Sequence, residues 1–89
     1  DPWQEEAKRL APGTRRSGRV ARLETFGAFV ELAPGVDGLL HLSELSSAKG
    51  RELRHPREAL QVGQTIEVEV RELDAARRRI SLAIAAPTT

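Results

Sequence analysis

A closed all-β barrel of five short antiparallel strands is what this chain predicts, and three observations predict it. Ile66, Val68 and Val70 alternate with Glu67, Glu69 and Arg71, and Ile80, Leu82 and Ile84 repeat that period two after the short link Asp74-Ala75-Ala76-Arg77-Arg78. Ala28, Val30 and Leu32 alternate in the same way with Phe29 and Glu31. Turn-forming residues separate the runs at Pro12-Gly13, Ala33-Pro34-Gly35 and Asp37-Gly38.

The elements follow in order. Asp1 is a capping residue with Pro2 at the first helical position, and Trp3, Ala7 and Leu10 recur at helical spacing, so a short lead-in helix with one narrow apolar stripe should cover an open end of the barrel. From Thr14 the period becomes that of a strand. Val20 and Leu23, spaced three apart after Gly18, suit a first strand that bends or bulges. Residues 28–32 form the second strand, and a short third strand is expected around Leu39 to Leu42. Ser43, Glu44 and Leu45 read as a single helical turn with Ser43 placed to cap it, and Pro56 opens another short turn. The two alternating runs near the C-terminus complete the barrel as a hairpin. Strands in this order, with a helical insertion after the third, outline the Greek-key oligonucleotide/oligosaccharide-binding (OB) fold.

Composition narrows the function classes. The chain has 89 residues, enough for one small core, and no cysteine, which removes disulfides and thiolate metal sites and agrees with a reducing cytosol. Its two histidines are too few for a metal cluster, so no metal or cofactor is expected. Nothing approaches the roughly 20 apolar residues of a membrane span. The chain starts at Asp1 and lacks methionine, and Ala85-Ala86-Pro87-Thr88-Thr89 is linker-like. A piece of a longer polypeptide is therefore expected, with the lead-in helix over 1–12, the barrel over 13–85 and a tail over 86–89.

The net charge of +1 conceals its distribution. Residues 7–23 hold Lys8, Arg9, Arg15, Arg16, Arg19 and Arg22 with no acid, and residues 75–89 hold Arg77, Arg78 and Arg79 with no acid. Lys49, Arg51, Arg54 and Arg57 form a third cluster, opposed locally by Glu52. A bipolar surface with basic patches that can meet a polyanion is expected. Phe29 shares the polar side of its strand, where a ring can stack a base. His41 alternates with Leu40 and Leu42 and so points away from them. Catalysis lacks parts: His41 and Ser43 have no third group and no oxyanion site, and no phosphate-cradling glycine loop with a lysine is present.

Gly18, Val20, Phe26-Gly27-Ala28-Phe29-Val30, Gly35-Val36-Asp37-Gly38-Leu39, His41, Ser43, Val62-Gly63 and Arg79-Ile80-Ser81-Leu82 together resemble the S1 RNA-binding domain over about residues 13–84. The opening Asp1-Pro2-Trp3 resembles the start of individual repeats in the ribosomal protein that gives the family its name. The resemblance implies an RNA-contact surface at Phe26, Phe29, His41, Asp74 and Arg79. Arg22 is a further candidate for a phosphate. Four of these have structural alternatives: Phe26 could cap the core, His41 could be a surface histidine bonded to a nearby backbone group, Asp74 could simply form the hairpin turn, and Arg79 could be an ordinary solvated arginine. The expected partner is single-stranded RNA, messenger RNA above all, with the small ribosomal subunit as a second partner and the isolated domain a cytoplasmic monomer. A barrel that docks on a protein instead is the rival reading. One position departs from the family pattern: Arg16 stands two residues before Gly18, where an aliphatic residue is usual.

Overall fold

The computed structural model describes residues 2–85, so the expected cap at Asp1 and the tail over 86–89 lie outside the described residues. The chain runs α1 (Pro2–Ala7), β1 (Arg15–Glu24), β2 (Gly27–Ala33), β3 (Val36–His41), α2 (Leu42–Lys49), a 3-10 turn (Pro56–Glu58), β4 (Thr65–Asp74) and β5 (Arg79–Ile84). The strands close in the order β1-β2-β3-β5-β4. All neighbours are antiparallel except β3 and β5, which run parallel through Leu39↔Ser81 and Leu40↔Leu82. That seam follows from the long crossover through α2, which returns the chain to the same end of the barrel before β4.

Alternation does the folding work expected of it. Val20, Val30, Leu40, Val68, Val70 and Leu82 are almost wholly buried in the barrel core. Each buried side chain of this size contributes roughly 1.5–3 kcal/mol by leaving water. Bulges fall at Val20/Arg22 in β1 and at Val70/Glu72 in β4, each bending a strand that must wrap round a small barrel. Gly18 has no side chain because a Cβ there would run into the side chain of Val30.

Helical pieces plug both ends. At one end α1 lays Trp3 into the core with Ala7 packed against it, but the helix stops at Ala7, short of the expected span over 1–12, and Leu10 enters the core from the segment after it. Arg16 explains its own departure from the family pattern here. It faces the same side of β1 as Gly18 and Val20, and its guanidinium donates to the Leu32 carbonyl at 3.2 Å and to Glu6 Oε2 of α1 at 3.5 Å. An aliphatic side chain at that position would pack but could not tether the helix. At the other end Leu45, Leu53 and Leu60 fill the core from α2 and the segment after it. His55 is held by a capping box: its Nδ1 accepts from the Arg57 N–H at 3.1 Å, while the Glu58 carboxylate accepts from the His55 N–H at 2.9 Å. The Arg54 N–H donates to the same carboxylate, and these backbone donors hold the Glu58 carboxyl below its ordinary range.

Three expectations are corrected. Asp37 and Gly38 do not form a turn. The strand begins at Val36 and ends at His41, and Gly38 pairs with Val30 inside the sheet. Glycine is needed there because a Cβ would lie 2.6 Å from Leu82 Cδ1, so the signal was one of close packing. The helix after β3 spans Leu42–Lys49, two turns where one was expected, and ends at Gly50 in the left-handed region at φ 71°. Its N-cap is His41 with no side-chain cap, so Ser43 lies inside the helix.

Candidate nucleic-acid interface

The outer face of β2, β3 and β5, with the bulged end of β1, carries a groove of about 860 Å³ lined by Arg22, Phe26, Phe29, His41 and Arg79 among others. Gly27 shapes its ring end. A Cβ there would collide with the Leu40 carbonyl, so glycine alone lets β2 approach β3 this closely just after Phe26. The Leu42 N–H donates to the Phe26 carbonyl at 2.9 Å, fixing the corner that presents the ring.

Phe26 and Phe29 meet edge to face, with ring centroids 6.0 Å apart and planes at 89°. Phe26 remains 50 % exposed, which disposes of the reading in which it caps the core. Phe29 is half-buried because Phe26 and Arg22 close on it, the Arg22 guanidinium lying 4.4 Å from the ring centroid. His41 is exposed at the end of β3, opposite Gly27. Arg79 is exposed at the start of β5. These residues come together although 57 positions separate Arg22 from Arg79.

Two of the expected contacts have local partners. Asp74 accepts from the Arg77 N–H at 3.1 Å through Oδ1, the geometry of a turn-former, and it is absent from the groove lining although it sits opposite Arg79 in the hairpin. Arg22 Nε lies 3.2 Å from Glu24 Oε1, so a phosphate would compete with that carboxylate.

Sequence reasoning missed several lining residues. Leu39 pairs with Phe29 across β2 and β3 and supplies apolar floor, a role that period two could have disclosed once the true start of β3 was known. Trp3 of α1 and Arg78 of the β4–β5 loop line the far end. No local signal pointed to them, because a lead-in helix and a loop meet there only in three dimensions. The acid-free basic runs are also less free than the sequence implied. Arg15 pairs with Glu69, Arg16 with Glu6, and Arg19 with Glu31, all supplied by other elements.

The family described as "S1 RNA binding domain" matches residues 9–85. The small ribosomal subunit protein bS1 homolog of Bacillus cereus is 46% identical over 83 residues, covering 93% of this chain and 21% of that protein. Protein bS1 of Streptococcus pneumoniae is also 46% identical, over 85 residues, covering 96% of this chain and 20% of that one. The chain thus spans about a fifth of these relatives. Among solved structures, GSP13 from Bacillus subtilis aligns with a TM-score of 0.75 at 34% identity, over 88% of this chain and 61% of that one. A chain of the a/eIF2alpha-aDim2p-rRNA complex from Pyrococcus horikoshii aligns at 0.73 with 31% identity, over 82% of this chain and 43% of that one.

Proposed function

The chain belongs to the S1 RNA-binding domain family, and from that premise we propose that it is a binding module for single-stranded RNA with little sequence preference. The observation that carries this reading is the pairing of Phe26 with Phe29 in one groove with His41 and Arg79. A ring stacks on any base, at about 1–3 kcal/mol per base, and a guanidinium grips any phosphate. Among the described residues, asparagine and glutamine, whose amides pair with base edges in two places at once, do not line the groove. Phe26, Phe29 and His41 are assigned to bases, Arg79 to a phosphate, Arg22 to a phosphate in exchange for Glu24, and Asp74 to setting the loop that presents Arg79.

The barrel of residues 13–85, with 1–12 as its end cover, acts in this reading as one repeat of a translation protein similar to bS1. Messenger RNA is its ligand, the small ribosomal subunit its wider partner, and the cytoplasm its setting. The module itself is not an enzyme. One copy binds weakly, and useful affinity comes from tandem copies through effective concentration.

The test is titration of the 89-residue chain with a short unstructured RNA, followed by amide chemical shifts. Shifts concentrated at residues 22–29, 39–41 and 79–81 are expected. Saturating RNA without shifts there would remove the assignment and favour a barrel that docks on protein.

A further inference from the structure

Among the described non-glycine residues, Arg78 alone has a positive φ, 53°. It occupies the last position of the β4–β5 loop, where glycine would adopt the left-handed conformation without strain. A residue held in such a conformation points to a use for its side chain. That side chain crosses to α1: its guanidinium carbon lies 6.0 Å from the centroid of the Trp3 ring. Trp3 is only 7% exposed, so it offers no open face to a base and instead serves as a fixed plate beneath the cation. Both residues line the groove that holds Phe29 and Arg79, and both also line a second hollow of about 390 Å³ between α1 and the loop.

We propose that Arg78, positioned by Trp3, is a further RNA-contact residue that takes a backbone phosphate at the α1 end of the groove, so that the lead-in helix is part of the interface. The proposal rests on the RNA-binding reading above. A guanidinium near a ring still presents a planar fork of five N–H donors, which suits the oxygens of a phosphate. The strand would then run from the ring pair at the β1–β2 corner, past Arg79, towards α1.

The single tryptophan of the chain makes the test direct. The 89-residue protein is titrated with a short oligouridylate at several salt concentrations while Trp3 emission is followed. In the unchanged protein, saturation with RNA is expected to alter that emission. Arg78→Gly, which the backbone favours, should melt at or above the unchanged protein, bind about three- to tenfold more weakly at low salt, and lower the slope of log K against log salt by about 0.7. Arg78→Lys, which keeps the charge, should keep the slope. Arg78→Gly with undiminished affinity and slope would overturn the proposal, and so would an Arg78→Gly protein that melts well below the unchanged one, since the role would then be structural. Failure of the unchanged protein to bind the oligouridylate, or full binding by Phe29→Ala, would instead bring down the underlying RNA-binding reading and is seen independently of Arg78.

Discussion

Two faces of this barrel are built from strands of the same period and do opposite things with their outward side chains. On the seam of β1 with β4 and the adjoining edge of β2, cations meet carboxylates across strands: Arg15 and Arg71 both lie within 3.4 Å of Glu69, Ser17 donates to Glu67, and Arg19 reaches Glu31 at 3.3 Å. On the face of β2, β3 and β5 the outward positions hold Phe29, Leu39 and His41, and the nearest guanidinium lies over a ring. Cations already matched by carboxylates have little charge left for a polyanion, whereas rings beside Arg79 combine stacking with a phosphate contact. Since Arg22 on the ring face is itself paired with Glu24, the placement of the rings, more than the number or pairing of arginines, separates a structural face from a binding one.

The largest expected effects test whether the ring face depends on the close approach of its strands. Gly27→Ala forces a methyl against the Leu40 carbonyl, and since backbone cannot swing aside as a side chain can, destabilisation of about 3 kcal/mol or more is expected in thermal or urea unfolding. Val30→Ala, next to Phe29 but pointing inward, should cost about 2 kcal/mol of stability by leaving a cavity. The folded fraction of that variant should bind RNA as before. Phe29→Ala should reverse the pattern: RNA affinity falls by about 1–3 kcal/mol, measured by fluorescence or calorimetric titration, while loss of a half-buried ring costs about 1 kcal/mol of fold. If neighbours 29 and 30 lost stability and affinity together, the division between the faces would fail.

Much of this division was legible in the sequence. Phe29 declared itself by sitting out of phase with Ala28 and Val30, and the hairpin of β4 and β5 by clean alternation on both sides of a short link. What stayed hidden has a common cause. Gly38 looks like a turn residue until Leu82 is seen packed against it from β5, 44 positions away. The arginines of β1 look unopposed until β4 and β2 bring Glu69 and Glu31 alongside, and Trp3 joins the groove only because α1 folds over the end of the barrel that carries Arg78. Local period reports which way a side chain points, and it cannot report what stands opposite.

A smaller effect sharpens the electrostatic half of the comparison. Arg79→Ala should lower affinity modestly and reduce the slope of log K against log salt by about 0.7, because one phosphate contact with single-stranded RNA releases about that share of a counterion. Phe29→Ala should leave the slope nearly unchanged, since stacking releases no ions. Equal slopes in the two variants, read from titrations across a salt series, would mean that Arg79 does not touch the backbone.

The smallest effect is expected on the opposite face, where Glu69→Gln removes the carboxylate that Arg15 and Arg71 share. Both arginines are more than half exposed, so the ion pairs add little to stability, about 0.2–1 kcal/mol at most. The substitution nonetheless raises the positive charge of that face by one unit, which is the change most apt to turn it into a binding surface if charge alone sufficed. Rings are absent there, and a cation without a stacking platform gives RNA only a screened contact at physiological salt. Affinity for single-stranded RNA should therefore change by less than about twofold, with amide shifts still confined to the Phe26–Phe29 groove. A larger gain, with new shifts along β1 and β4, would show that Glu69 had been masking a second RNA face, and the contrast between the two sides of the barrel would then rest on one carboxylate instead of on the placement of the rings.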